Sequence, residues 1–330
     1  MFYKYYSIFG VNVRIEAETE AIIRIADKCI GYFEIQEDDG KSDISFKILF
    51  PSRDLIEERK KAIESKYYLF SFDKLTGYRI GEKLIVTDGV STAECETSKG
   101  IVTMFLDKGI LRQERFFAFV FFYLILMEML RYRGFYYVHS SCISIDGKAL
   151  IIPGDTGAGK TTLCITLLRE GYKYLSDDGV LLRREGDTVR TYALPGEFHI
   201  DPSISKRFKE LEDVKYGEKY GEGPKRAFSA DKFYPGQFIH SAEQRFIIYP
   251  EIKNQRASRL CRISRAKALA LFIPHSLLVM MDSDIAAAHL DVLKRAVEIS
   301  ECFRLESGQD LLDNPSNVVK MIKKELIGAD

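Results

Sequence analysis

The sequence has no excess charge of either sign: 48 Lys and Arg offset 48 Asp and Glu, a formal net charge of zero over 330 residues. A dedicated nucleic-acid-binding module needs a basic face or stripe, so none is expected. Cysteine is sparse and scattered. Cys29, Cys95, Cys142, Cys164, Cys261 and Cys302 include no C-x-x-C pair, which argues against a zinc framework or a redox dithiol. Their even count would allow three disulfides, but a long chain without a secretory signal favours buried free thiols. The opening residues, MFYKYYSIFGVNVRIEAE, lack the uninterrupted apolar stretch of a signal peptide, and a cytoplasmic protein is the expectation.

Long apolar runs are also missing. The longest, residues 116–127 (FFAFVFFYLILM), continues past Glu128 through Met129 and Leu130 and is bounded by arginine-rich flanks. A membrane-spanning helix needs about 18–20 such residues. The segment reads as a helix buried between two layers, with a membrane-surface or oligomer contact as the alternative. No membrane partner is expected, and no internal repeat or low-complexity tract occurs.

What is present suits an ordinary globular protein of about two domains, 46% hydrophobic and 29% charged. Residues 1–112 alternate in short polar and apolar runs. Strands are predicted at 44–50, 66–72, 83–87 and 101–106, turns at Thr76-Gly77, Asp88-Gly89 and Lys99-Gly100, and one helix over 16–29. This smaller α+β domain carries no chemical motif and reads as a scaffold or docking unit. Residues 113–330 shift to an α/β pattern. Within them 206–232, rich in Lys, Glu and Gly, reads as a mobile excursion, while 244–249, 264–272, 285–300 and 317–327 read as alternating strands and helices.

The chemistry concentrates in residues 136–182. Gly154-Asp155-Thr156-Gly157-Ala158-Gly159-Lys160-Thr161 fits G-x-x-x-x-G-K-[ST] at every fixed position, a match that arises by accident in about one chain in a hundred of this length. A predicted strand (148–153) precedes it and an amphipathic helix (161–170) follows, the setting the motif requires. Glycines let the backbone curl so that successive N–H groups point at phosphate oxygens, and the helix N-terminus adds to that field. Lys160 can reach the outer phosphates, and the Thr161 hydroxyl can ligate phosphate-bound Mg²⁺.

A short strand after this helix ends in Ser176-Asp177-Asp178-Gly179. A strand–helix–strand crossover leaves its two strands parallel, so their C-terminal ends share one sheet edge. Asp177 and Asp178 are therefore expected beside the glycine loop, one holding Mg²⁺ and the other taking a proton from an attacking hydroxyl. Asp-Asp-Gly is also good turn chemistry. Only sixteen residues separate Lys160 from Asp177. Upstream, Asp146-Gly147 between two apolar runs predicts a two-residue hairpin. Ile145 then pairs with Lys148, and His139 falls opposite Gly154, near the phosphates or the acceptor.

His139, the Asp146-Gly147 hairpin, GDTGAGKT and Leu175-Ser176-Asp177-Asp178 together resemble the catalytic domain of HPr kinase/phosphorylase and its kinase relatives, whose core is related to ATP-dependent phosphoenolpyruvate carboxykinase. The resemblance covers about residues 135–185. It implies a P-loop kinase fold of that type, with ATP and Mg²⁺. It also implies nucleotide contacts from residues 154–162, Thr162 included, a metal-holding Asp177, a catalytic base at Asp178, and His139 in the active site. The E-[IL]-R-G-[LV]-G signature of HPr kinases is missing. In its place, Leu194-Pro195-Gly196-Glu197-Phe198-His199-Ile200-Asp201-Pro202 is similar to relatives that modify peptides.

The expectation is thus Mg-ATP-dependent transfer to a serine hydroxyl of a protein or peptide, with a homo-oligomer in keeping with the family. A small-molecule kinase of the same core, a carboxykinase-like decarboxylase and a nucleotide-gated binding protein are the alternatives. Glu197, His199, Lys225, Arg226, Lys232 and Arg245 are weaker candidates. His240, His275 and His289 show no ligand spacing and receive no role.

Overall fold

The computed structural model describes residues 1–36, 41–52, 67–219, 223–276 and 283–328. Its contacts group the chain into two compact units. One holds the described residues up to Phe135 together with 283–286, and the other holds the remainder from Tyr136 onward.

Among the described residues the first unit has nine strands: β1 (Phe2–Ile8), β2 (Val11–Ala17), β3 (Glu34–Ile35), β4 (Ile44–Leu49), β5 (Tyr67–Phe72), β6 (Leu75–Ile80), β7 (Lys83–Thr87), β8 (Thr92–Glu96) and β9 (Ile101–Phe105). They form one mixed sheet in the order β3-β1-β2-β4-β9-β8-β7-β6-β5, in which β2, β4 and β9 run parallel. The alternation in β2 buries Val11, Val13, Ile15 and Ala17 on one face. That period of two runs through Ala17, so the helix expected from residue 16 begins later, as Glu20–Ile30.

The turn expected at Thr76-Gly77 lies instead inside β6, where Gly77 pairs with Phe70 of β5. A Cβ on Gly77 would stand 2.0 Å from a Phe70 ring carbon. The glycine therefore makes room for a cross-strand aromatic ring. Of the predicted strand 66–72, residue 66 lies outside the described residues.

The apolar segment forms one continuous helical stretch of the first unit: α-helical over Glu114–Phe116, π-helical over Phe117–Phe122 and α-helical over Tyr123–Arg131. Phe117, Phe121, Phe122 and Leu126 are fully buried, and the Phe122 ring centroid lies 4.9 Å from that of Phe46 in β4. Along the chain, the first compact unit gives way to the second between Phe135 and Tyr136. Near the helix end, Arg131 donates to Glu128 at 2.8 Å, with both side chains buried. Among the described residues no helix is long and apolar enough to cross a membrane.

The second unit holds β10 (Tyr136–Val138), β11 (Ser140–Ile145), β12 (Lys148–Pro153), β13 (Lys173–Ser176), β14 (Val180–Glu185), β15 (Thr188–Ala193), β16 (Phe198–Ile200), β17 (Arg226–Phe228), β18 (Ser241–Ile252), β19 (Arg259–Arg262) and β20 (Glu301–Ser307). Its large mixed sheet runs β10-β14-β15-β18-β12-β11-β13, with β20 parallel to β18 and β19 antiparallel to β20. β11 is antiparallel to both β12 and β13, so those two run parallel with β11 between them. Their C-terminal ends share one edge, as the crossover argument requires.

The core beneath this sheet gathers Ile143, Leu150, Ile152, Leu163, Leu167, Phe246, Phe303 and Ile322. The segment 206–232 is less of an excursion than its charge suggests. Phe208, Leu211, Val214 and Phe228 are buried in the same core; Phe208 immediately precedes a 3-10 turn (Lys209–Tyr216) that carries Leu211 and Val214, and Phe228 lies on β17. Their apolar spacing is masked by the charged residues between them; residues 220–222 lie outside the described set. All six cysteines are free thiols.

Candidate functional site

The hairpin between β11 and β12 sets the register of the site. Asp146 and Gly147 have φ of 48° and 77°, the left-handed pair that a tight two-residue turn needs. Ile145 pairs with Lys148 and Ser140 with Pro153. The ladder follows the predicted register and ends there, one step short of the expected His139–Gly154 pair. The single strand expected over 136–145 is broken at that histidine. β10 pairs with β14, whereas β11 pairs with β12 and β13. His139 sits where the chain changes neighbours, and its N–H donates to the His275 carbonyl at 2.8 Å.

β12 leads into the glycine loop, residues 154–159, and the helix Lys160–Arg169 follows directly. Gly157 and Gly159 have φ of 87° and 98°, which only glycine adopts without strain. A Cβ on Gly154 would come within 3.1 Å of the Ala158 methyl, so the loop closes tightly on itself. The Lys160 ammonium donates to the carbonyls of Gly154 at 2.6 Å and Asp155 at 3.2 Å. Burial pushes its pKa down, against the pull of Asp178 and Asp177. Asp155, Thr156 and Gly157 are exposed at the loop tip. Thr162 is half-buried in the first helical turn, where its carbonyl accepts the Thr166 hydroxyl at 2.9 Å.

Asp177 follows β13 directly and is buried. Its Oδ2 accepts the Thr161 hydroxyl at 3.0 Å and the His199 N–H at 3.3 Å, and its Oδ1 accepts the Ser141 hydroxyl at 2.9 Å. Burial, reinforced by the neighbouring Asp178 charge, raises its pKa to about 6, against the opposing pull of those three hydrogen bonds. Asp178 contrasts with it. Its side chain is 55% exposed, and one carboxylate oxygen lies 3.5 Å from Nδ1 of His139. The turn that presents it is held by the Ser176 hydroxyl, which accepts from the N–H groups of Asp178 and Gly179. Tyr137 covers the same turn: its hydroxyl donates to the Asp178 carbonyl at 3.3 Å, and a Cβ on Gly179 would meet its ring at 2.5 Å.

Thus Lys160, Thr161, Asp177, Asp178 and His139 come together at one sheet edge. Of the weaker candidates, His199 reaches Asp177 through its backbone, and the Lys225 charge is felt at Lys160. Glu197 is exposed, Arg245 bonds the Ile299 carbonyl, Arg226 bonds nearby carbonyls, and Lys232 lies over Phe233. Sequence reasoning missed Ser141, Tyr137 and His275. Ser141 is one of three serines in β11 (SSCISI), and nothing in the local pattern singles it out. His275, which shows no spacing signal, lies in the field of Asp155, His139 and Lys160, and burial holds its pKa down.

The donor set suits Mg²⁺. Thr161 and Asp177 offer hard oxygens 3.0 Å apart, and Mg²⁺ is held by one or two such side chains together with phosphate and water.

No family model matches the chain. Over 77 residues it is 30% identical to an HPr kinase/phosphorylase of Chlorobium luteolum, a stretch that covers 23% of each protein. Over 47 residues it is 40% identical to a putative HPr kinase/phosphorylase 2 of Oceanobacillus iheyensis, 14% of this chain and 15% of that one. The matched stretches span less than a quarter of these relatives' length. A solved HPr(Ser) kinase/phosphatase of Coxiella burnetii aligns over 57% of this chain and 95% of its own, with a TM-score of 0.31 and 11% identity, values too low to support an argument about fold. The local sequence similarity is to HPr kinase/phosphorylases, in agreement with the resemblance carried by the motifs.

Proposed function

We propose that the second unit is a P-loop kinase of the HPr kinase type, which transfers the terminal phosphoryl group of ATP to a hydroxyl, most suitably a serine of a protein or peptide. The observation that carries this reading is the exposed Asp178 carboxylate, 3.5 Å from the His139 imidazole and within the field of the Lys160 ammonium. In this reading the loop amides and Lys160 hold the phosphates. Thr161 and Asp177 supply the oxygens for Mg²⁺, whose bound charge offsets that of the triphosphate. Asp178 accepts the proton of the acceptor hydroxyl as its oxygen bonds to the terminal phosphorus and the bridging P–O bond to ADP breaks. His139 keeps that carboxylate turned toward the acceptor. A carboxylate is a weak base, so phosphate placement supplies most of the acceleration. A cytoplasmic location and a homo-oligomer accord with this reading.

The test is to incubate the protein with labelled ATP, Mg²⁺ and candidate serine peptides and to locate added phosphate by mass spectrometry. Asp178→Asn should lower transfer by about 10²-fold or more, the usual scale of general-base catalysis. Transfer that survives this substitution unchanged would overturn the assignment.

A further inference from the structure

We propose that Ile252, at the end of β18, is the apolar shelf on which the nucleoside of the bound triphosphate rests. This rests on the kinase reading above and deepens it. Asp177, Asp178 and His139 all lie on the β11 and β13 side of β12. A triphosphate whose terminal group faces Asp178, with its other phosphates along the glycine loop, carries its nucleoside away from those residues. On the other side of β12 stands β18.

β18 is shaped for such a role. It pairs in parallel with β12, Ile151 matching Ile247, and then continues to Ile252 beyond the end of β12 at Pro153. Its final residues run alongside the glycine loop. Ile252 is 63% exposed, which leaves its apolar side chain accessible beside the loop. Two of its side-chain carbons lie 3.6 Å and 3.8 Å from where a Cβ on Gly159 would stand, so it abuts the last glycine before the helix.

Hydrogen bonds tie the chain after Ile252 to the end of β20 and the residues that follow it. The Lys253 N–H donates to the Ser307 carbonyl at 2.9 Å, the Gln309 N–H to the Gln255 carbonyl at 2.9 Å, and the Asp310 N–H to the Arg256 carbonyl at 3.1 Å. Asp310 in turn accepts the N–H and hydroxyl of Ser258. A fixed apolar surface beside a phosphate loop is what a flat, weakly polar base needs, since ordering costs are already met in the fold.

The test compares ATP with inorganic tripolyphosphate, which carries the phosphates without the nucleoside, by calorimetry on the full chain in Mg²⁺. Ile252→Ser should weaken ATP binding about tenfold, the scale of trimming one apolar group from a pocket, and leave tripolyphosphate within twofold. Ile252→Leu should retain both. Equal weakening of the two compounds would assign Ile252 to the loop's own packing and overturn the proposal. So would unchanged ATP binding, or a wild type that binds the two compounds equally. A wild type that binds neither overturns the kinase reading along with it.

Discussion

The Thr161 hydroxyl donates to Oδ2 of Asp177 at 3.0 Å, joining the first turn of one helix to the end of a strand two positions away in the sheet. Helix and strand belong to one crossover, and this bond brings their two oxygens to a single point.

Because those oxygens form the suggested metal pair, Thr161→Val should weaken nucleotide binding only where the ion contributes. Calorimetry should show about a tenfold loss in Mg²⁺, on the scale of a charged hydrogen bond, and little change in EDTA. Equal losses in both buffers would exclude a metal role for the hydroxyl.

Asp177 makes stability depend on pH. Its carboxyl holds a proton to about pH 6 in the fold, above the ordinary 3.8. A raised folded-state pKa contributes stability that is complete below the unfolded value and is lost as pH rises through the folded one. In metal-free buffer the wild type should lose on the order of 3 kcal/mol from this group between about pH 4 and pH 6. Asp177→Asn should flatten that decline. Urea midpoints measured across the range would show it, and parallel curves would contradict the assigned shift.

Gly179 leaves no room for a side chain beneath Tyr137. Gly179→Ala should cost about 1–3 kcal/mol by overpacking and displace the turn that presents Asp178. Adding Tyr137→Ala should recover most of the loss in melting temperature. A double variant no more stable than the single one would place the strain elsewhere.

In the first unit, Glu128→Ala leaves the Arg131 guanidinium buried without the carboxylate it donates to. The expected cost is about 3–5 kcal/mol, read as a lower denaturant midpoint.

The candidate site was more legible than the scaffold that holds it. A phosphate loop imposes fixed glycines and a lysine, and an Asp-Gly hairpin fixes its own register, so GDTGAGKT and the β11–β12 pairing from Ile145–Lys148 to Ser140–Pro153 could be read residue by residue. Ser141 and His275 could not. They reach the site through strand order and a distant 3-10 turn, which local patterns do not encode. The same limit hid β1, β2 and the late start of the first helix. There a period-two pattern, short and rich in tyrosine and charge, competes with helix-forming Glu and Ala. Gly77 misled for a related reason: a glycine that yields space to an aromatic ring looks like one that turns the chain.

His139 lies between two strands that follow different partners, and the chain around it is tethered from far along the sequence. The His275 carbonyl receives its N–H, and the Ser276 hydroxyl donates to the Tyr137 carbonyl at 2.6 Å. The Ile273–His275 turn and Ser276 therefore act as a remote brace for the imidazole. Lengthening or cutting the polypeptide there would shift the histidine while every one of its own neighbours in sequence stayed intact.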